Sequence, residues 1–201
     1  MFRRLLVLGV AVTIGACGGA PTAPTDVAFS KYGLPVNLSQ IDTTSSMLLW
    51  PYGVQGGDHP NGHPGIDFTL QVGADVLADQ SGKVIDITNS VYAGEVGITV
   101  RHEDGWKSFF TGFFQTVIVS KGQSVSRGQV IAKVDRWNGA GAASYHWGIA
   151  VDDKSEAVSC PGEFVSADDR AAMQRLLDNS SFPDKSRYPL VCNPCPAGGC
   201  R

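Results

Sequence analysis

Residues 97–114 read GITVRHEDGWKSFFTGFF. Two runs rich in Ile, Val, Thr and Phe, Gly97–His102 and Ser108–Phe114, flank Glu103-Asp104-Gly105. β-branched and aromatic residues fit a pleated, half-buried surface, and Glu-Asp-Gly suits a tight turn between antiparallel neighbours. The pattern repeats outward in Gly82–Thr88, Val117–Val119, Gln129–Val134 and Tyr145–Val151, separated by glycine-containing turns. This spacing predicts an all-β core of antiparallel hairpins and not βαβ units. No internal repeat interrupts it.

One helix is expected after the strands. Ser166, followed three residues later by Asp169, makes a capping-box-like start, and Ala167 to Asp178 is rich in helix formers. Met173, Leu176 and Leu177 give it an apolar stripe for packing. The helix lies between Cys160 and the cluster Cys192, Cys195 and Cys200. With Cys17 set aside, these four cysteines in an oxidising compartment predict two disulfides, with three connectivities open. Cys192-Asn-Pro-Cys195 also fits half a zinc knuckle or a redox motif, but the tail holds no histidine and no βαβ unit surrounds it. The region 156–201 therefore reads as a disulfide-stapled extension containing one helix.

The N-terminus reads as an export signal. Arg3 and Arg4 precede an apolar run, Leu5 to Ile14, too short to span a bilayer. Ile14-Gly15-Ala16-Cys17 resembles a bacterial lipobox, which implies cleavage after residue 16 and a lipid on Cys17 that anchors the chain to the membrane. An ordinary secretory signal is the alternative. Gly18 after the cysteine, in place of an aspartate, points to the outer membrane, facing the periplasm, if the cell has two. Residues 17–30 form the lipidated cysteine and a flexible tether, with GGAPTAPT at Gly18–Thr25. Residues 31–155 are long enough for one domain with a real core. Cleavage removes two of the 16 basic residues and none of the 19 acidic ones, leaving a net charge near −5. With no cluster of Lys and Arg, nucleic-acid binding is excluded.

Four histidines narrow the chemistry. His63-Pro-Gly-Ile-Asp67 sets an imidazole and a carboxylate four residues apart at the entrance to a strand. Both are good Zn²⁺ ligands, and a zinc site open to substrate uses three protein groups. In Ser144-Tyr-His-Trp-Gly148, strand alternation puts Ser144, His146 and Gly148 on one face and Tyr145 and Trp147 on the other. His146 on the site face would complete the set; a core or surface histidine without metal is the plainer reading of that residue alone. Asp152-Asp153 and Asp168-Asp169 read as a solvated strand end and a helix N-terminus. Trp106, Phe109, Phe110, Phe113, Phe114, Trp137, Tyr145 and Trp147 read mainly as core, some of them free to line a groove. No GxSxG elbow or phosphate-binding loop is present.

Together these segments resemble the lysostaphin-type (LytM-like) zinc peptidases. Gly62-His-Pro-Gly-Ile-Asp-Phe68 is similar to the family's HxGIDF signature, followed by Gly73-Ala-Asp-Val-Leu-Ala78 and Gly82-Lys-Val84. Val119-Ser-Lys-Gly-Gln-Ser-Val-Ser-Arg-Gly-Gln-Val-Ile131 matches the family's V-x-x-G-x-x-V-x-x-G-x-x-I segment, and Ser144–Gly148 falls where the family has HxHFE. The resemblance spans roughly residues 50–151. It implies a grooved β domain, one Zn²⁺ held by His63, Asp67 and His146, and peptidoglycan peptide cross-links as substrate or ligand.

The resemblance also shows two losses. Active members place one histidine two positions after a strand tyrosine and another as the first histidine of HxH, where both serve proton transfer. Here those positions hold Phe113, with Thr111 in place of the tyrosine, and Ser144. Losing a positioned acid or base forfeits about 10²–10⁴ in rate per role. Phe113 cannot hydrogen-bond, and a serine hydroxyl does not titrate near neutrality. His102 reads as structural. His59, beside Asp58, reads as a loop residue and is the one histidine left to assist catalysis. Whether the chain is an enzyme therefore stays open between a degenerate domain that binds peptidoglycan or regulates a cell-wall hydrolase, and an active zinc endopeptidase. A metal-free structural lipoprotein is a third reading.

Overall fold

The computed structural model describes residues 32–56, 59–89, 94–151, 159–196 and 199–200. The signal 1–16, Cys17, the tether to residue 30, Asp58, Asp152-Asp153 and the domain boundary at 155 lie outside them. Among the described residues no helix is long and apolar enough to cross a membrane.

The strands are β1 (Leu49–Trp50), β2 (Ile66–Leu70), β3 (Asp75–Leu77), β4 (Gly82–Asn89), β5 (Glu95–Arg101), β6 (Trp106–Val117), β7 (Ser124–Val125), β8 (Val130–Val134) and β9 (Ala143–Val151). All ladders between them are antiparallel. The main sheet runs β1-β2-β9-β6-β5-β4-β7, and β8 joins β3 to the end of β6. The β5–β6 turn is Glu103–Gly105, where Gly105 takes φ +82°, a left-handed conformation that glycine adopts without steric cost.

Two runs expected as separate strands, Ser108–Phe114 and Val117–Val119, form one strand ending at Val117. A register shift between Phe114 and Thr116 lets β6 leave β9 and pair with β8. Such a bulge bends a strand without ending it. β5 starts at Glu95, two residues before the run that begins at Gly97.

Alternation decides what each face holds. Ile66, Phe68, Leu70, Ile98, Val100, Phe110, Tyr145, Trp147 and Ile149 are buried in the core. The core also holds polar residues. Asp79 Oδ2 accepts from Ser108 Oγ at 2.6 Å and from Trp147 Nε1 at 2.8 Å, and His102 Nε2 lies 2.8 Å from Ser108 Oγ. Burial pushes the Asp79 carboxyl pKa up, opposed by the adjacent His102. His102 is thus a structural residue, and the bond from Trp147 fixes β9 next to His146.

The cysteines pair as Cys160–Cys192 and Cys195–Cys200. Helix α1 (Ala167–Asn179) starts on Ser166, whose Oγ accepts from Asp169 N at 3.1 Å, and buries Ala172, Met173 and Leu177. After α1 the chain returns to the segment that carries His63. Tyr52 N donates to Val191 O at 3.0 Å, Asn193 Nδ2 to Tyr52 O at 3.0 Å, and Cys200 N to Asn61 O. The extension therefore clamps both ends of residues 52–61.

Candidate metal centre

One row crosses the exposed face of the main sheet. Asp67 on β2 pairs with His146 on β9, His146 with Thr111 on β6, and Thr111 with Gly97 on β5. Residues paired across a ladder share a face, so Asp67 and His146 point the same way, opposite the buried Tyr145 and Trp147. His63 reaches the same point from the loop before β2 and is fully buried.

Three donor atoms meet there. His146 Nδ1 lies 2.9 Å from Asp67 Oδ1 and 3.0 Å from His63 Nε2, and His63 Nε2 lies 3.1 Å from Asp67 Oδ1. His63 Nδ1 is 3.1 Å from the Pro51 carbonyl oxygen, which can only accept. Nδ1 therefore carries the proton, and neutral His63 presents the Nε2 lone pair to the cluster, a tautomer assigned from the network. Such a backbone contact orients a metal-ligating histidine from behind. Neutral His146 has at most one proton to offer two neighbours. One proton shared between two neighbours is a poor match for three atoms this close, and a cation held among them, an extra proton or a metal ion, satisfies all three.

The electrostatics agree. Burial opposes charging of His63, yet the Asp67 carboxylate outweighs it and holds the imidazole above its ordinary pKa. Burial likewise works against ionised Asp67, and His63 with His146 overcomes it, keeping the carboxyl well below the usual range.

The donor set fits zinc. Ligands about 2.0–2.1 Å from a tetrahedral ion are about 3.3–3.4 Å apart, so the contacts would open by only about 0.2–0.5 Å. The His63 side chain is 1% exposed, while those of His146 and Asp67 are 23% and 36% exposed. One side of the cluster is sealed and the other opens to a cavity of about 270 Å³. Among the described residues this is the one group of His, Cys, Asp and Glu with metal-ligating geometry.

The other expected residues fall around it. Ser144 lines the cavity, and so does His59, whose ring centroid is 4.9 Å from that of His63. Phe113 is 8% exposed and packs edge-on against Trp137 at 4.7 Å, which covers it from the cavity side. Sequence reasoning did not pick out Glu95, which also lines the cavity. Its alternation with Gly97 and Thr99 on the site face is the signal that places it.

Fold and donor set together define a metallopeptidase-like domain. Residues 61–159 match the model of Peptidase family M23. Among curated proteins, Peptidoglycan DD-endopeptidase ShyB of Vibrio cholerae serotype O1 is 37% identical over 70 residues, 35% of this chain. The match spans 16% of that relative's length. Among solved structures, a zinc-containing peptidase from Vibrio cholerae aligns at 27% identity over 63% of this chain and 38% of that one, with a TM-score of 0.48. The catalytic domain of lysostaphin from Staphylococcus simulans aligns at 25% identity over 53% and 80%, with a TM-score of 0.45.

Proposed function

We propose that this protein is a lipid-anchored envelope protein whose M23 domain holds one Zn²⁺ through His63, Asp67 and His146 and uses it to bind peptidoglycan peptides, with fast hydrolysis lost. The observation that carries the metal reading is the convergence of three ligand atoms within 3.1 Å of one another beside an open cavity. When bound, the ion would polarise a peptide carbonyl as a Lewis acid. His63, backed by Pro51, orients the site; Asp67 and His146 form its cavity side. Loss of hydrolysis is inferred from Phe113 and Ser144, neither of which can pass a proton near neutral pH. Membrane attachment at Cys17 rests on the lipobox resemblance, and regulation of a wall hydrolase is a role this binding would allow. A second reading, slow cleavage assisted by His59, draws on the presence of that ring in the same cavity.

Incubating the zinc-loaded protein with purified sacculi tests the function. The expected result is zinc-dependent retention on sacculi with an unchanged muropeptide profile. New cleavage products that disappear in Asp67→Ala would establish the enzyme reading instead.

Gly65 gives a local test of the geometry. A Cβ there would overlap the His146 ring and the Trp147 carbonyl oxygen. Gly65→Ala is expected to push the imidazole out of line and weaken zinc binding about 10–100-fold, the range seen when ligand orientation is disturbed. Competition with a chromophoric chelator measures it; unchanged affinity would contradict the packing described.

A pH dependence follows with a definite sign. Because the folded His63 pKa is raised, its stabilising contribution in zinc-free protein is complete below the ordinary imidazole value and is lost as pH rises through the folded pKa. Asp67, lowered, contributes throughout this range and loses its effect only as pH falls through its folded pKa. Zinc competes with the His63 proton, so the rise in melting temperature on adding zinc should grow between about pH 6 and pH 8. A zinc effect that shrinks over that window would count against His63 as a ligand.

A further inference from the structure

The cavity holds a second carboxylate that the metal cluster does not use. Glu95, the first residue of β5, is 7% exposed and lines the cavity with Asp67 and His146. No hydrogen bond or ion pair reaches its carboxylate from any described residue, and its oxygens are not among the side-chain atoms sealed from solvent, so they face the open cavity. An acceptor-only carboxylate on the wall of an open cavity is free to receive a donor that arrives there.

Register fixes where that donor would sit. Gly97 pairs with Thr111 and Thr111 with His146, so Glu95 lies two strands from His146 and two residues along. At about 4.8 Å per strand and 3.4 Å per residue the backbones are about 12 Å apart, and an extended glutamate leaves a gap of roughly 7–10 Å to the metal cluster. A general base must come within about 2.6–3.2 Å of the proton it takes, so Glu95 does not act on a bond at the metal. It is placed to hold another part of the same ligand.

We propose that Glu95 anchors an ammonium group of a peptide whose carboxylate or carbonyl end meets the metal centre. A charged donor suits an unpaired carboxylate better than a neutral one. The half-exposed indole of Trp137 lines the same cavity and offers a face that also attracts cations. Three extended residues span about 10 Å, which matches the gap. This inference rests on the metal reading above and adds the polarity and length of the ligand.

The test uses two probes, trialanine and N-acetyl-trialanine, titrated calorimetrically into zinc-loaded wild-type protein and into Glu95→Gln. Bound zinc is measured in both proteins beforehand. Wild type is expected to bind trialanine about ten-fold or more tighter than the acetylated peptide. Glu95→Gln, which keeps the side-chain shape, should retain zinc and bind the two peptides alike. Equal binding of both peptides by zinc-loaded wild type, binding of neither, or a preference that survives in Glu95→Gln would overturn the proposal. Absence of zinc from wild type would instead refute the metal reading, and this inference with it.

Discussion

Replacing His146 with alanine is expected to empty the metal centre, lowering zinc from about one per chain to a small fraction of that. Two ligands remain in that variant, His63 and Asp67, and an open zinc site with three protein groups does not survive on two. The fold should persist. His146 faces the cavity, whereas its neighbours Tyr145 and Trp147 are the ones locked in the core. The melting temperature of chelator-treated His146→Ala should therefore lie close to that of chelator-treated wild type, while the gain on adding zinc disappears. His59→Ala serves as the control. His59 lines the cavity but is not among the three converging donors, so its loss should leave the zinc content unchanged. Retention of zinc by His146→Ala would place the ion elsewhere.

The second large effect is a gain. Phe113 and Ser144 lie just beyond the last pair of the β6–β9 ladder, Gly112–Tyr145, and by alternation on the face of Thr111 and His146. An imidazole at 144 would open on the cavity beside the metal ligands, and one at 113 would lie in the adjoining row under the edge of Trp137. With about 10²–10⁴ in rate attached to each proton-transfer role, the Phe113→His, Ser144→His double substitution should raise cleavage of peptidoglycan peptides by at least about 10²-fold. Each single substitution should give much less, because residues acting as a unit are not additive. Zinc content should match wild type, since neither position is a ligand. Histidine is smaller than phenylalanine and fits the space beneath Trp137, so misfolding is not expected. A double variant with full zinc and no cleavage would show that something besides these two side chains has silenced the site.

Much of this was legible in the sequence because it follows from period two. Tyr145 and Trp147 are buried and Ser144 and His146 open to the site, as alternation along one strand requires. The HPGID segment and the single strand imidazole converge as their resemblance to the family's motifs implied. What stayed hidden depends on contacts between distant segments. The hydrogen bond from His63 to Pro51 O belongs to a loop path that no local pattern encodes. The pairing Cys160–Cys192 and Cys195–Cys200 cannot be read from spacing, and neither can the return of Val191, Asn193 and Cys200 onto residues 52–61. Val117–Val119 resembled a new strand because a bulge breaks the alternation without ending β6. Glu95 was passed over because a charged residue two positions before an apolar run resembles a loop until its register with Phe113 is known.

The claim on which the rest depends is that His63, Asp67 and His146 hold one zinc ion. X-ray absorption at the zinc edge of the purified, zinc-loaded protein tests it directly. The account predicts a first shell of nitrogen and oxygen at about 2.0–2.1 Å with the outer-shell signature of two imidazoles. A first shell containing sulfur at about 2.3 Å, or one without imidazole scattering, would contradict it.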